Sequence, residues 1–142
     1  MPEKLVIEGN YQKDWFLYSS GFVTAGSAIT VTSTINVAAD TDFEAKYITM
    51  ECRQANVLVA THGGTINVLF TAIGKTLSNV AIPIDAILGT GQRPYYLTPP
   101  KILPANGNIV IQFTNNVATS TDFCLTFHGN KLYLRPGAQP TV

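Results

Sequence analysis

Apolar and polar residues alternate along most of the chain with a period of two. In Ser27 to Val37 the apolar residues share one face with Ser33, and threonines with Asn36 occupy the other face. Period two with β-branched residues is typical of a half-buried strand, and no window of eleven residues has helical periodicity. The pattern predicts about eight strands. These are Trp15–Val23, Ser27–Val37, Phe43–Arg53, Thr65–Ala72, Val80–Ile84, Tyr95–Thr98, Asn108–Thr114 and Phe123–Leu134.

Short strands separated by turn residues favour a β-sandwich or barrel. The stretch Leu97–Asn116 contains three prolines and an Asn-Gly pair. We expect its prolines to hold a long connection outside the strand ladder, as a Greek-key or jelly-roll crossover requires. The expected fold is all-β, a jelly-roll-like antiparallel β-sandwich. A chain of 142 residues fits a single domain, 1–142, with an N-terminal arm at 1–12 and a C-terminal tail at 136–142.

Three local features modify this pattern. The alternation changes phase after Tyr47, and a β-bulge or a solvent-exposed Tyr47 would each explain it. Pro83 predicts an edge strand, because proline cannot donate to a ladder. Gly129 predicts a bend in the last strand.

Charge is scarce and balanced. Charged residues make up 13% of the chain, and nine basic residues cancel nine acidic ones. A neutral chain has no net field to attract nucleic acid, and no apolar run approaches the roughly 20 residues of a membrane span. We therefore expect neither nucleic acid nor membrane as a partner. The N-terminal sequence has no apolar segment of a secretory signal, which predicts synthesis in a cytoplasm. A surface of threonine and asparagine favours a role within an assembly.

The sequence contains no recognisable catalytic constellation. Its two histidines, His62 and His128, lie in no His-x-His or His-x-Asp pattern. His62 precedes a Gly-Gly turn, and His128 falls on the outward phase of the last predicted strand. Asp40 and Asp42 could bind a cation but more often cap backbone amides in such a turn. The stretch Gly89–Pro94 lacks the last glycine and the helix of a phosphate loop. We therefore expect no enzyme, no cofactor, no metal and no catalytic residue.

Two cysteines, Cys52 and Cys124, each fall within a predicted strand. Buried free thiols are the default for such residues, and a disulfide would form only if the two strands were neighbours.

Adjacent large aromatic residues are the candidates for binding. They occur as Trp15-Phe16 and Tyr95-Tyr96, and Pro99-Pro100 follows the second pair closely. Neighbouring residues of a strand point to opposite faces, so at least one ring of each pair should lie near the surface. Exposed aromatics anchor protein partners or stack on sugar rings. Burial of all four rings under loops or arms is the competing interpretation.

The order of elements resembles the jelly-roll decoration, or cement, proteins on the heads of tailed bacteriophages. The resemblance covers roughly 15–134 and is based on "ADTDFEAKYI", "PPKILPANGNIVIQFTN" and "FCLTFHGNKLYL". It implies a non-enzymatic virion component on the capsid surface, made in the host bacterial cytoplasm. The implied partners are the major capsid protein and further copies of itself, as a dimer or trimer. By this resemblance the proline-rich stretch and both terminal arms would contact the capsid.

Two other functions remain compatible with the sequence. Jelly rolls also serve as lectins, so the chain could be a tail-associated carbohydrate- or receptor-binding module that uses Trp15, Tyr95 and Tyr96. The second possible function is that of a cupin-like host protein that has lost its metal ligands.

Overall fold

The computed structural model describes residues 6–8, 11–59, 63–84 and 94–134, with only the backbone of 6–8. These residues form strands joined by loops and turns, with a short 3-10 turn at Thr71–Ile73. None of them belongs to a helix that could cross a membrane. The strands are β1 (Val6–Glu8), β2 (Tyr11–Ser19), β3 (Val23–Ala25), β4 (Thr30–Asn36), β5 (Asp42–Gln54), β6 (Val57–Val59), β7 (Thr65–Phe70), β8 (Lys75–Thr76), β9 (Ile82–Pro83), β10 (Tyr95–Leu103), β11 (Asn108–Thr114) and β12 (Thr121–Leu134).

The strands form two antiparallel sheets. The larger sheet has the order β1-β2-β12-β5-β10, with β3 also on β12 and β6 also on β5. The smaller sheet has the order β4-β11-β7-β8, with β9 also on β7. After β3 the chain enters the smaller sheet at β4 and returns at β5, and it alternates again through β10, β11 and β12. This nesting of two Greek keys is the connectivity of a jelly roll. The prediction of a single all-β sandwich is confirmed.

The core lies between the two sheets, where the alternation of each strand places its apolar residues. Phe113 of β11 stacks on Phe123 of β12, with ring centroids 4.8 Å apart. Phe70 of β7 meets Phe127 of β12 edge-on at 6.1 Å. These four rings have no more than 1% of their surface exposed. They join the two sheets at the centre of the sandwich, where buried aromatic area contributes most to stability.

A β-bulge interrupts β5 beside Tyr47, which confirms the first of the two explanations for the phase change. His128 pairs with Tyr47, but the next residue of β12, Gly129, pairs with Ala45. Lys46 is therefore the extra residue. A Cβ atom on Gly129 would overlap the carbonyl oxygen of Glu44 in the bulged strand, so only glycine fits there.

The proline-rich stretch differs from the prediction. We expected a strand that ends at Thr98 and a long connection, but β10 continues to Leu103 and the turn to β11 is confined to residues 104–107. The pairing with β5 jumps from Tyr96 to Lys101, so the prolines occupy a bulge within the strand. The residues after the prolines again have N–H groups that can donate to β5, so they resume the ladder and the strand does not end at the prolines. Pro83 does lie on an edge strand, as predicted.

The N-terminal boundary of the sandwich precedes the expected one. Tyr11 and Gln12, assigned to the arm, begin β2 and pair with β12. Residues 6–8 add a short strand outside β2. The predicted C-terminal tail at 136–142 lies outside the described residues.

Cys52 and Cys124 are not joined by a disulfide, and Cys52 is buried as expected, whereas Cys124 is half-buried. Phe123, the neighbour of Cys124, pairs with Cys52 across β12 and β5. Adjacent residues of a strand point to opposite faces, so Cys52 lies in the core while Cys124 is on the outer face. The two sulfur atoms are thus on opposite sides of one sheet.

Candidate interaction surface

The structure brings Trp15 and Tyr96 onto one surface, the outer face of the larger sheet. The register places Leu17, His128, Tyr47 and Tyr96 opposite one another on β2, β12, β5 and β10. Trp15 lies two residues from Leu17 on the same strand, and therefore on the same face. We call Trp15, Tyr47, Tyr96 and His128 the aromatic row.

The rings of the aromatic row are in contact with one another. Tyr47 stacks on the imidazole of His128 with centroids 4.5 Å apart, and it meets Tyr96 at 5.4 Å and Trp15 at 5.8 Å. Tyr47 and His128 are half-buried at the centre, whereas Trp15 is 43% and Tyr96 64% exposed. Packed rings lose little conformational freedom on binding, because the neighbouring rings already restrict them. The row thus presents a continuous apolar surface across the sheet.

The surroundings of His128 favour the neutral form of its imidazole. Burial lowers the pKa of its imidazole, since a charged ring would lose hydration there. Its Nε2 atom lies 2.8 Å from the hydroxyl oxygen of Thr49 on the neighbouring strand. A neutral imidazole fits the stack with Tyr47, and it adds no charge to the apolar row.

A polar cluster borders the aromatic row toward the start of β2. Lys13 Nζ lies 3.1 Å from Glu44 Oε1, and the side chains of both are only 12% and 15% exposed. The amide of Asn130 also donates to Glu44 Oε1, at 3.3 Å. Lys46, the extra residue of the bulge, approaches the same carboxylate at 4.0 Å. One carboxylate with two ammonium groups and an amide can therefore supply directed polar contacts beside the rings.

A hydroxyl-lined patch borders the row on the opposite side. The hydroxyl of Thr126 donates to Ser19 Oγ at 3.1 Å, and Ser19 Oγ lies 3.4 Å from the sulfur of Cys124. Farther along the face, the guanidinium of Arg53 lies over the ring of Phe22, 4.6 Å from its centroid. The outer face of this sheet therefore has a further exposed aromatic residue, Phe22, distant from the row.

Phe16 is the neighbour of Trp15 and Tyr95 is the neighbour of Tyr96 in the two predicted pairs. Both lie on the opposite, inner face of the larger sheet. Phe16 packs on Tyr18 with centroids 4.9 Å apart, and the ammonium of Lys131 lies 4.2 Å from the Phe16 centroid. Tyr95 pairs with the buried Ile48. Both rings remain 36% exposed because they lie at the margins of the core. The structure does not unite the predicted candidates in one site.

Pro99 and Pro100 are exposed in the bulge of β10. Pro99 lines a shallow pocket of about 370 Å³ together with Tyr95 and Tyr96. Its other lining residues are Leu77, Leu97, Thr98 and Lys101. The pocket adjoins the aromatic row through Tyr96, so Pro99 extends the row at the edge of the sheet.

The carboxylates singled out from the sequence form structural contacts. Asp42 Oδ1 accepts the amide of Ala105 at 2.9 Å, and Asp40 Oδ2 lies 3.0 Å from Lys131 Nζ. The hydrogen bond from Lys131 lowers the pKa of Asp40. In the part of the chain that the structure describes, no three His, Cys, Asp or Glu side chains converge as a metal site. His62 and residues 89–93 of the phosphate-loop-like stretch lie outside that part.

Sequence reasoning did not place Tyr47 and His128 in the candidate surface. His128 was correctly assigned to the outer face of the last strand, and an exposed Tyr47 was one of two explanations considered. The missing information was the register, because the two residues meet only when β5 and β12 pair with His128 opposite Tyr47. The phase change at Tyr47 was the available signal.

Comparison with known proteins gives only distant similarities. No protein-family model and no curated protein matches the chain. Two structures of infectious bursal disease virus match. The structure of the Gt strain has 13% identity and a TM-score of 0.34, and the match covers 87% of this chain and 43% of the viral chain. The structure of the VP2 subviral particle has 12% identity and a TM-score of 0.28, and the match covers 87% of this chain and 42% of the viral chain. The chain spans less than half the length of either.

Proposed function

We propose that this chain is a structural protein of a tailed-phage particle that binds the outside of the capsid and bridges adjacent capsid subunits. The observation that supports it most directly is the aromatic row. Two of its members, Trp15 and Tyr96, are large exposed rings held on a rigid sheet. Aromatic anchors of this kind are typical of protein interfaces, whereas single exposed rings are common on any surface.

The charge balance supports the same function. With nine basic and nine acidic residues, the protein has no net charge to repel it from a charged lattice. Each copy needs only modest affinity, because a lattice offers many identical sites and a bridging protein engages two subunits at once. Binding restricted to the assembled lattice stabilises that lattice by mass action.

Gold-labelled antibody on intact, purified particles tests the location. Regular label over the head is expected. Label confined to the tail would contradict capsid binding and favour a receptor-binding role. If label is absent and the chain is missing from the mass spectrum of the particles, the chain is not a virion component.

Rebinding to particles that lack the protein tests the surface. The double variant Trp15→Ala/Tyr96→Ala should lose at least tenfold in affinity, as expected when two anchors are truncated. Phe22→Ala is the matched control, because Phe22 is an exposed ring at the other end of the same face. Equal loss in both variants would place the contact elsewhere.

The same surface supports a carbohydrate-binding module as a second candidate. Sugar recognition requires aromatic faces with directed hydrogen bonds beside them, and the cluster of Lys13, Glu44 and Asn130 borders the row. The isolated protein should then bind members of a glycan array, and Glu44→Gln should weaken this binding. Absence of glycan binding together with label over the head would eliminate this candidate.

A further inference from the structure

One long strand edge of the sandwich has none of the features that prevent strands from pairing with other chains. Native edges are usually short, charged, bulged or interrupted by proline. The β10 edge has a bulge with two prolines, β9 contains Pro83, and β8 has two residues including Lys75. The edge strands β1, β3 and β6 have three residues each. β1 covers only Tyr11–Lys13 of β2, and the open part of β2 that follows begins with the charged Asp14.

The exception is β4, which has seven residues and forms the edge of the smaller sheet. Its sequence TVTSTIN contains no proline and no charge, and its pairing with β11 has no register shift. No charged residue occurs between Asp14 and Asp40. Among the described residues, no strand pairs with its other side.

The hydrogen bonds to β11 identify the backbone groups on the open edge. The carbonyl of Ile29 accepts the amide of Asn115 at 3.0 Å, and the amide of Val37 donates to the carbonyl of Gly107 at 2.9 Å. Both bonds involve odd-numbered residues at the two ends of the ladder. Because hydrogen-bonded residues alternate along an antiparallel strand, the even-numbered residues direct their amides and carbonyls to the open edge. These are Thr30, Thr32, Thr34 and Asn36.

We propose that two copies of this chain pair through β4, antiparallel, with the two-fold axis at Ser33. In this register Thr32 lies opposite Thr34 of the partner subunit, and both are residues whose backbone groups face the edge. Thr30 lies opposite Asn36 of the partner subunit on the outer face. This pairing forms about eight backbone hydrogen bonds.

The same register matches the inner face. Val31, which packs against the core, lies opposite Ile35 of the partner subunit, so apolar side chains meet apolar ones and hydroxyls meet hydroxyls. A shift by one residue would place Thr opposite the inner residues and lose both matches. The absence of charge means that two identical strands meet without repulsion. This self-complementarity selects a second copy as the occupant.

The dimer is independent of the capsid proposal and can be tested on the purified full chain. Sedimentation equilibrium should give twice the 15.3 kDa of one chain. The variant Thr32→Lys/Thr34→Lys should shift the mass to that of a single chain, because it places lysines opposite lysines across the axis. The matched control is Asn108→Lys/Gln112→Lys, which adds the same charge to exposed positions of the interior strand β11 and should leave the dimer intact.

Cross-linking gives a test that does not depend on the lysine variants folding. In a Cys124→Ser background, Ser33→Cys should form a dimer disulfide on mild oxidation, since non-hydrogen-bonded pairs have Cα atoms about 4.5 Å apart. Val31→Cys should not cross-link, because its cross-axis neighbour is Ile35.

A monomer at all concentrations without the Ser33→Cys cross-link would overturn the proposal. A dimer unaffected by the edge lysines would also overturn it. If a monomer protects the amides of Thr32 and Thr34 from hydrogen exchange, another segment of the chain covers the edge and the proposal is wrong.

Discussion

At Gly129 the backbones of β12 and β5 approach more closely than any side chain permits. The bulge in β5 directs the carbonyl oxygen of Glu44 toward the Cα atom of Gly129, into the space that a Cβ would occupy. Since backbone, and not a flexible side chain, is the obstacle, relief would require a shift of the whole ladder. The same bulge places Tyr47 beside His128, so this glycine also supports the aromatic row.

We therefore predict that Gly129→Ala lowers the free energy of unfolding by about 2 kcal/mol or more, the cost of overpacking a rigid site. Denaturant unfolding measures the change. Gly26→Ala is the control, because its Cβ would meet only a side-chain carbon of Ile29 at 3.6 Å. Equal effects of the two substitutions would contradict this account of the bulge.

A pH dependence follows from His128. Burial places the pKa of its imidazole below the ordinary 6.5, so the unfolded chain binds a proton more readily than the folded chain. Stability should then be lost as the pH falls from about 6.5 toward the lower folded pKa, and should be independent of this group at higher pH. Unfolding free energies of the native protein and His128→Gln should converge or cross in that window. The two proteins differ only at residue 128, and a constant difference in their unfolding free energies would refute the prediction.

At the scale of elements, the hairpin between β5 and β6 contains an avoidable conformational cost. Ala55 and Asn56 both have positive φ values, 50° and 64°. A turn with two positive φ angles matches the twist of a hairpin and favours Asn-Gly or Gly residues. Asn tolerates this region, but the Cβ of Ala55 is strained there.

Replacing Ala55 by glycine should raise the free energy of unfolding by about 1 kcal/mol, because removal of the strain exceeds the added entropy of the unfolded chain. Ala38→Gly provides the comparison. Ala38 is exposed and is not among the residues with positive φ, so its replacement should only destabilise. A loss of stability in both variants would show that the turn is not strained at Ala55.

The elements also show where sequence patterns suffice. Alternation located β7, β9 and β11 within two residues, because each strand has one face in the core. It failed at β10, where Pro99 and Pro100 lie inside a strand. The sequence shows that prolines cannot donate a backbone hydrogen bond, but it does not show whether the partner strand tolerates a bulge at that point.

At the scale of the whole molecule, the proposed bridging function predicts that the chain stabilises particles as well as binding them. Particles that lack the protein should release DNA at a higher temperature after it is added back, since binding only the assembled lattice shifts its stability. Trp15→Ala/Tyr96→Ala should restore little of this gain, while Phe22→Ala should restore it fully. A native protein that binds without raising the release temperature would be an attachment module and not a cement.

The sequence by itself determined the fold class, the core face of the main strands and the outward direction of His128. These are local properties, because a strand with one buried face must alternate with period two. Only the tertiary structure decided which outward residues meet. The aromatic row depends on β2, β12, β5 and β10 lying side by side in one register, although they are far apart in the chain. The open edge of β4 likewise depends on which strands are its neighbours. Strand order and register are set by packing and bulges across the whole sandwich, so no single segment encodes them.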